Sequence, residues 1–395
     1  MKTTLSRIIL PVLLLGSGII GQTCEPSDQV FTLREEFKEG SSYRVESSVR
    51  LHGRLRLASP GTKELQEVRF RGESRTCYTE RILSPLDNGE TLRTVRLYHQ
   101  VDTHRRRGED IQETTVRPEI RRLVLLAHQG KRAPFSPDGP LTWGEIDLIH
   151  TDLFCPIVLA GLLPQKAVAV GDKWKVTAAA ARELTDLETI QEGGLEVELV
   201  SPILIQQKQL LRLKLSGTVR GSNGHGQHVH HLDGTIYYDA QWPGITYLSL
   251  KGAHYVLDEK GEPSGTIEGY LTLNRSSADP LPAKLSDTAL SSLKLQPTPE
   301  NTLLLFEDRE TGLRFLYPRG WRVGMVRKSQ VTLDHAQGAG IILTLESASR
   351  MPTPQEYHQE VVAFLRQRQA QWQNLHGPHS VEGPPNTLVR FGIRA

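Results

Sequence analysis

The chain has 395 residues, with 47 Lys and Arg against 45 Asp and Glu, 38% apolar residues, 34 Gly, 23 Pro and three Cys. That length predicts two domains and a core large enough to fold without covalent staples. Gly and Pro at about 14% exclude collagen and low-complexity disorder, three cysteines exclude a disulfide scaffold, and a net charge of +2 gives no electrostatic case for nucleic acid as a partner.

Lys2 and Arg7 introduce the apolar run 8–15, and the small residues Gly16, Ser17, Gly18 and Gly21 follow. This is the order of a secretory signal. From 8 to 21 the run is shorter than the roughly 20 residues that span a bilayer as a helix. The expectation is a signal peptide over 1–21 and a secreted or periplasmic mature protein without a transmembrane segment. Its removal leaves 45 bases against 45 acids. Cys24 raises lipid anchorage as a second reading, although Gln22 stands where a lipoprotein signal places a small residue. In an oxidising compartment Cys77 and Cys155 either pair or remain two separate buried thiols.

From Tyr43 to Leu57 apolar or small residues alternate with Arg44, Glu46, Ser48, Arg50, His52, Arg54 and Arg56. A period of two over fifteen residues predicts a strand with one face buried and one wet. Further alternating runs include Val68 and Phe70; Val95, Leu97 and Val101; Leu195, Val197 and Leu199; Leu211 through Val219; and the segments around Ile236, Leu250 and Leu271. Turn signals at 221–224, 243–244 and 259–261 join the last of them, which predicts an antiparallel meander.

Two helical regions interrupt the strands. Thr142 with Glu145 three residues on is a capping box, with Ile146, Ile149 and Leu153 following at helical spacing. Pro156 divides this region into two short helices that end before Leu163-Pro164, and an Ala-rich helix is expected over 178–190. The fold class is α+β: a curved antiparallel sheet, an incomplete barrel, with helices on one face, plus a small second α/β sandwich domain.

The run Leu163-Pro-Gln-Lys-Ala-Val-Ala-Val-Gly171-Asp-Lys-Trp174, the strand ending Leu215-Ser-Gly-Thr-Val-Arg-Gly221 and the final meander resemble a family of bacterial secreted proteins of unknown function. Members of that family are similar in outline to the LolA and LolB lipoprotein carriers. The resemblance covers roughly 31–273 and implies an incomplete β-barrel wrapped around helices.

Over 275–300 the chain turns to Pro, Ser and Thr, with Asp279-Pro-Leu-Pro282 and Pro297-Thr-Pro299, and reads as a linker with one short helix between a first domain at 22–274 and a second at 301–395. Strands are expected at 303–306, 331–333 and 341–345. Thr353-Pro354-Gln-Glu356 opens a helix whose buried stripe is Tyr357, Val361, Phe364, Leu365, Trp372 and Leu375. Phe306-Glu-Asp, Gly312-Leu-Arg-Phe-Leu-Tyr-Pro318 and Gly320-Trp321 resemble PsbP-like domains, which implies a docking or binding module without catalysis. After the helix only 387–393 remains for strands, fewer than that pattern supplies, so the expectation is either an abbreviated module or an incomplete chain.

His225, His228, His230, His231 and Asp233 form the densest group of metal-ligand residue types. On a strand His228 and His230 share one face and His231 and Asp233 the other, so neither side holds the three or four ligands a metal site requires. His228 and His230 are weak metal candidates, and a solvated strand is the simpler reading. Gly221-Ser-Asn-Gly-His-Gly226 lacks dinucleotide-binding spacing, and Ser291-x-x-Lys294 lies in the expected linker. There is no Walker loop, His-Glu-x-x-His or Gly-x-Ser-x-Gly, so no catalytic residue and no cofactor is assigned.

Residues 43–135 carry 19 bases against 12 acids, and 136–200 carry 4 against 11. Either these segments pair across the fold or the strand face of Arg44, Arg50, Arg54 and Arg56 meets an anionic envelope component. The resulting reading is a noncatalytic exported binding or interaction protein of the cell envelope. Its partner is an envelope component or a lipid-like ligand, apolar or amphipathic, held between sheet and helices. The alternative is an extracytoplasmic hydrolase, which requires a nucleophile or metal with perturbed partners in a cleft.

Overall fold

The computed structural model describes residues 29–58, 65–84, 92–128, 131–327, 329–345, 349, 352–369, 371, 373–381 and 388–394. The expected signal peptide, Cys24 and Trp372 lie outside the described residues. The chain divides into two units, Met1–Asn301 and Thr302–Ala395.

In the first unit twelve strands make one antiparallel sheet: β1 (Ser42–Ala58), β2 (Leu65–Ser84), β3 (Leu92–Arg107), β4 (Asp110–Thr114), β5 (Arg122–His128), β6 (Lys131–Phe135), β7 (Lys173–Lys175), β8 (Thr189–Ile205), β9 (Lys208–Asn223), β10 (Gly226–Asp239), β11 (Gly244–Leu257) and β12 (Pro263–Ser277). They lie in the order β7-β8-β9-β10-β11-β12-β1-β2-β3-β5-β6, and β4 pairs with the end of β3. The path is open, so among the described residues the sheet does not close into a barrel. The alternation beginning at Tyr43 becomes the seventeen-residue β1. The turn between β11 and β12 is built by Asp258, whose carboxylate accepts from the backbone of Lys260 and Glu262, with Gly261 at φ +81°.

On the inner side of the sheet, glycines make room for leucines of the neighbouring strand. A Cβ at Gly252 would sit 2.6 Å from Leu232, and one at Gly234 would sit 2.6 Å from Leu250. Leucine side chains therefore lie flat across the adjacent strand, a close approach that only glycine permits.

Three helices sit on this inner side: α1 (Trp143–His150), α2 (Cys155–Gly161) and α3 (Ala178–Thr185). The capping box forms as expected, with Thr142 accepting from the Glu145 backbone and Glu145 from that of Thr142. Pro156 lies in the first turn of α2, where its missing N–H costs no helical bond. The helix expected to reach Ile190 stops at Thr185. Asp186 takes a left-handed conformation at φ 54°, and Ile190 pairs with Gly221 in the β8–β9 ladder.

Residues 279–295, which lie within the segment expected to be a linker, cover the outer side of β3. They hold the short helix α4 (Asp287–Ser291), and Leu285 and Leu290 pack on Val95 and Leu97. Strand β3 is therefore buried on both sides along its first half. The register shift opposite Cys77 and Tyr78 is a β-bulge that reverses its alternation. Val95 and Leu97 face outward and Val101 inward, so the single apolar face expected for these three residues is in fact two.

The second unit has a hairpin, β13 (Leu304–Asp308) with β14 (Leu313–Tyr317), and a meander of β15 (Trp321–Arg327), β16 (Gln330–His335) and β17 (Gly340–Thr344). Helix α5 (Pro354–Gln367) and the hairpin of β18 (Gln373–Val381) with β19 (Leu388–Arg394) follow. The Thr353–Glu356 capping box is present. The buried stripe expected on α5 is not formed: none of its residues is buried, Tyr357 and Phe364 are 52% and 54% exposed, and Leu375 belongs to β18.

Candidate functional site

The inner side of the first sheet carries apolar residues along β1 and β12 but is covered along only part of its length. Register places Val45 against Tyr78 and Arg275, Ser47 against Thr76 and Leu273, and Val49 against Ser74 and Leu271. Tyr43, Val45, Tyr78 and Leu273 are buried, whereas Val49, Leu51, Phe70 and Leu271 are half-buried. The boundary follows the turn between α1 and α2, which meets the sheet at Thr76 and Tyr98. Beside that turn lies a cavity of about 120 Å³, walled by Val49, Leu51, Phe70, Leu271 and Leu273 and floored by Ser47, Thr76, Tyr78 and Asp152.

A buried polar network holds the turn in place. Arg96 and Glu80 are both 0% exposed and meet at 2.8 Å from Nε to Oε1. Glu80 also accepts from the hydroxyls of Thr94 at 2.7 Å and Tyr43 at 2.6 Å. The Arg96 guanidinium stacks 4.2 Å over the Tyr78 ring, donates to the Leu153 carbonyl at 3.2 Å and lies 3.9 Å from Asp152 Oδ2. Asp152 accepts from Thr76 at 3.0 Å and Tyr98 at 2.9 Å, which suits the ionised carboxylate. Burial raises the Tyr43, Tyr78 and Tyr98 hydroxyls, so they remain protonated donors. The Cys155 thiol, 3.2 Å from the Tyr78 hydroxyl, is pushed up to about 12 by burial, which suppresses the thiolate a nucleophile requires. Cys77 is also a free buried thiol. It precedes Tyr78's inward position by one residue and so faces the outer side of β2, and the sheet itself separates it from Cys155.

His228 and His230 share the inner face of β10, as their spacing predicts, and both are buried. The fold adds His254, which lies opposite His230 on β11. His254 Nε2 is 2.9 Å from His228 Nδ1, His228 Nε2 is 2.8 Å from the Asn223 side-chain oxygen Oδ1, and the His230 and His254 rings stack at 4.2 Å. Burial, with the neighbouring imidazoles adding, holds His230 down to about 3 and His254 to about 4, so the group is neutral near pH 7. His231 faces the outer side, within 2.7 Å of the Thr218 hydroxyl. Among the described residues no group of three or more His, Cys, Asp or Glu is placed to hold a metal ion, and both nitrogens of His228 already have partners.

No family model matches the chain, and no curated protein matches it. Neither comparison ties it to the LolA and LolB carriers or to PsbP-like domains. Among solved structures, one of lipovitellin, concerned with lipid–protein interactions, is similar at 10% identity and a TM-score of 0.33, over 61% of this chain and 26% of that one. DynF from the dynemicin biosynthesis pathway of Micromonospora chersina is similar at 10% identity and a TM-score of 0.16, over 66% and 92%. The chain spans about a quarter of the lipovitellin chain's length. At these scores neither neighbour carries an argument about function.

The charge asymmetry between segments resolves into particular pairs. Arg105 meets Asp147 at 2.9 Å, Arg117 meets Glu145 at 2.9 Å, and Arg122 pairs with Asp138, each joining a base before 136 to an acid after it. On the outer strand face the compensation is local: Arg44 lies 3.1 Å from Glu46 and Arg54 3.6 Å from Glu67. Exposed pairs of this kind contribute little to stability, but they offset the basic stripe of β1. Among the described residues no helix is long and apolar enough to cross a membrane.

Proposed function

We propose that the first unit is a noncatalytic binding module that holds the apolar part of an amphipathic molecule between its sheet and the α1–α2 turn. One observation carries this reading: the apolar inner face continues past the turn, and Val49, Leu51, Phe70 and Leu271 line a cavity there while remaining half-buried. A purely structural module would fill that space with its own side chains, since protein interiors pack to crystal density. The resemblance to the LolA and LolB carriers agrees with this reading without adding to its physical basis.

The test uses the fluorescent apolar probe 1-N-phenylnaphthylamine. The unaltered protein is expected to enhance its emission, and Leu271→Glu to weaken binding by about tenfold or more, the cost of placing a charge against the apolar wall, with the unfolding midpoint little changed. Equal binding by both proteins would sink the proposal. We further propose that the protein acts outside the cytoplasm, on the strength of residues 2–21. Fractionation of cells expressing the full chain is expected to recover it outside the cytoplasm, shortened at its N-terminus by mass. An uncleaved cytoplasmic chain would refute export.

A further inference from the structure

The outer side of the first sheet carries a hollow of about 430 Å³, within the roughly 300–1,000 Å³ range of small-molecule sites. Two irregularities shape it. Val200 is the extra residue of a bulge between Leu199 and Ser201 on β8, and Thr246 that of a bulge on β11 opposite Tyr237 and Tyr238. Bulges bend and twist the strands that carry them, and Val200 itself lines the hollow. Thr235 and Ser249 are direct partners across β10 and β11, and Lys214 on β9 lies next in the same row. Arg212, two residues before Lys214, shares its face of the strand. Asp233 and Lys251, paired in register, border this row on one side. On the other side Tyr237 and Tyr247 stack at 5.2 Å.

Three cations therefore meet one carboxylate here. Arg212, Lys214 and Lys251 are exposed, and none of them is in an ion pair with another described residue. Glu198, opposite Lys214 in the β8–β9 register, is engaged by Lys173 at 3.5 Å. The half-buried hydroxyls of Thr235 and Ser249 have no hydrogen-bond partner among the described residues. The arginine stripe of β1 differs, because Glu46 and Glu67 offset Arg44 and Arg54. Uncompensated cations over open hydroxyls suit an anionic group. Asp233 limits how much negative charge fits, and it accepts hydrogen bonds from a hydroxylated neighbour. A nucleic-acid strand would want cations in a continuous track, whereas Asp233 and Glu198 flank this cluster.

We propose that the hollow binds a hydroxylated anion, a sugar acid or sugar phosphate. Its charged group lies between Arg212 and Lys214, its hydroxyls meet Thr235, Ser249 and Asp233, and a ring face lies toward Tyr237 and Tyr247. This site is on the opposite side of the sheet from the apolar cavity and stands or falls separately from it.

Titration calorimetry of the full chain with glucose 6-phosphate, glucuronate, glucose and inorganic phosphate tests the assignment. At least one of the two sugar anions is expected to bind about tenfold or more tightly than either glucose or inorganic phosphate, and the tighter of the two identifies the charged group. Arg212→Gln with Lys214→Gln should weaken that binding about tenfold or more while leaving the urea midpoint nearly unchanged, since both side chains are exposed. Added salt should weaken it as well. Equal affinity for inorganic phosphate and the sugar anions would leave only a charge effect and overturn the sugar assignment. So would tighter binding of a short oligothymidylate that the same double variant abolishes. No binding of either sugar anion, or binding untouched by the double variant, overturns the site.

Discussion

Leu273 and Leu271 are two residues apart on β12 and face the same side of the sheet, yet Leu273 is buried and Leu271 half-buried. The same step occurs on β1 between Val45 and Val49. Nothing in the strands accounts for it, because both halves alternate alike and pair in continuous register. The difference comes from what lies above them. Over the closed half the α1–α2 turn is fixed by Arg96, Glu80, Tyr98 and Asp152, and over the open half no described residue of the first unit is fixed in the same way. A sheet whose apolar residues run past its cover thus becomes a site where the cover ends, and a buried charge network sets that boundary.

The sharpest way to break this comparison is to remove the network. Arg96→Ala would leave the Glu80 carboxylate buried without its cation, a change that costs about 3 to 5 kcal/mol. Urea unfolding should show that loss, and Arg96→Met with Glu80→Leu should recover a substantial part of it, since an apolar pair of similar volume leaves no stranded charge. Equal destabilisation in the single and double variants would mean the ion pair is not what holds the turn. Next in size is the leucine pair itself. Leu273→Ala should cost about 2 to 5 kcal/mol as a core cavity, whereas Leu271→Ala should cost about 1 kcal/mol or less and chiefly weaken the apolar probe. Equal stability losses would make the two halves a single core and remove the site.

Much of this was legible before the coordinates. The alternation from Tyr43, the Thr142–Glu145 box, the division at Pro156 and the shared face of His228 and His230 are short-range signals, each set by residues within a turn or a pleat of one another. What was not legible depended on partners far along the chain. Arg96 reads as a wet-face residue by strand parity, and only the bulge beyond Tyr98 and the cover supplied by Leu285 and Leu290 place it inside. His254 follows His230 by 24 positions and joins it through β10–β11 register alone. Asp152 sits in a turn whose sequence carries no motif. The stripe on α5 shows the converse, because helical spacing identifies an apolar face without showing that anything covers it.

The histidine group offers the finest test of the comparison, because it lies on the same inner side toward the uncovered end. His230 has an ordinary value of 6.5 and is held down to about 3 in the fold, first by burial and then by His254 and His228. The unfolded chain therefore binds a proton between these values that the folded chain excludes. Stability is complete above about 6.5 and falls as pH drops below it, at a limiting slope of about 1.4 kcal/mol per pH unit for this one group. Asp186, His225, His228, His231 and His254 are the titratable neighbours that modulate the group, and Asp186 alone favours the charged form. Between pH 6.5 and 5 the urea midpoint of the unaltered protein should fall with acid, and His230→Phe should reduce that slope. An unchanged slope would mean that this end of the inner face already admits water and protons, and that the cover extends even less far along the sheet than the burial of His230 indicates.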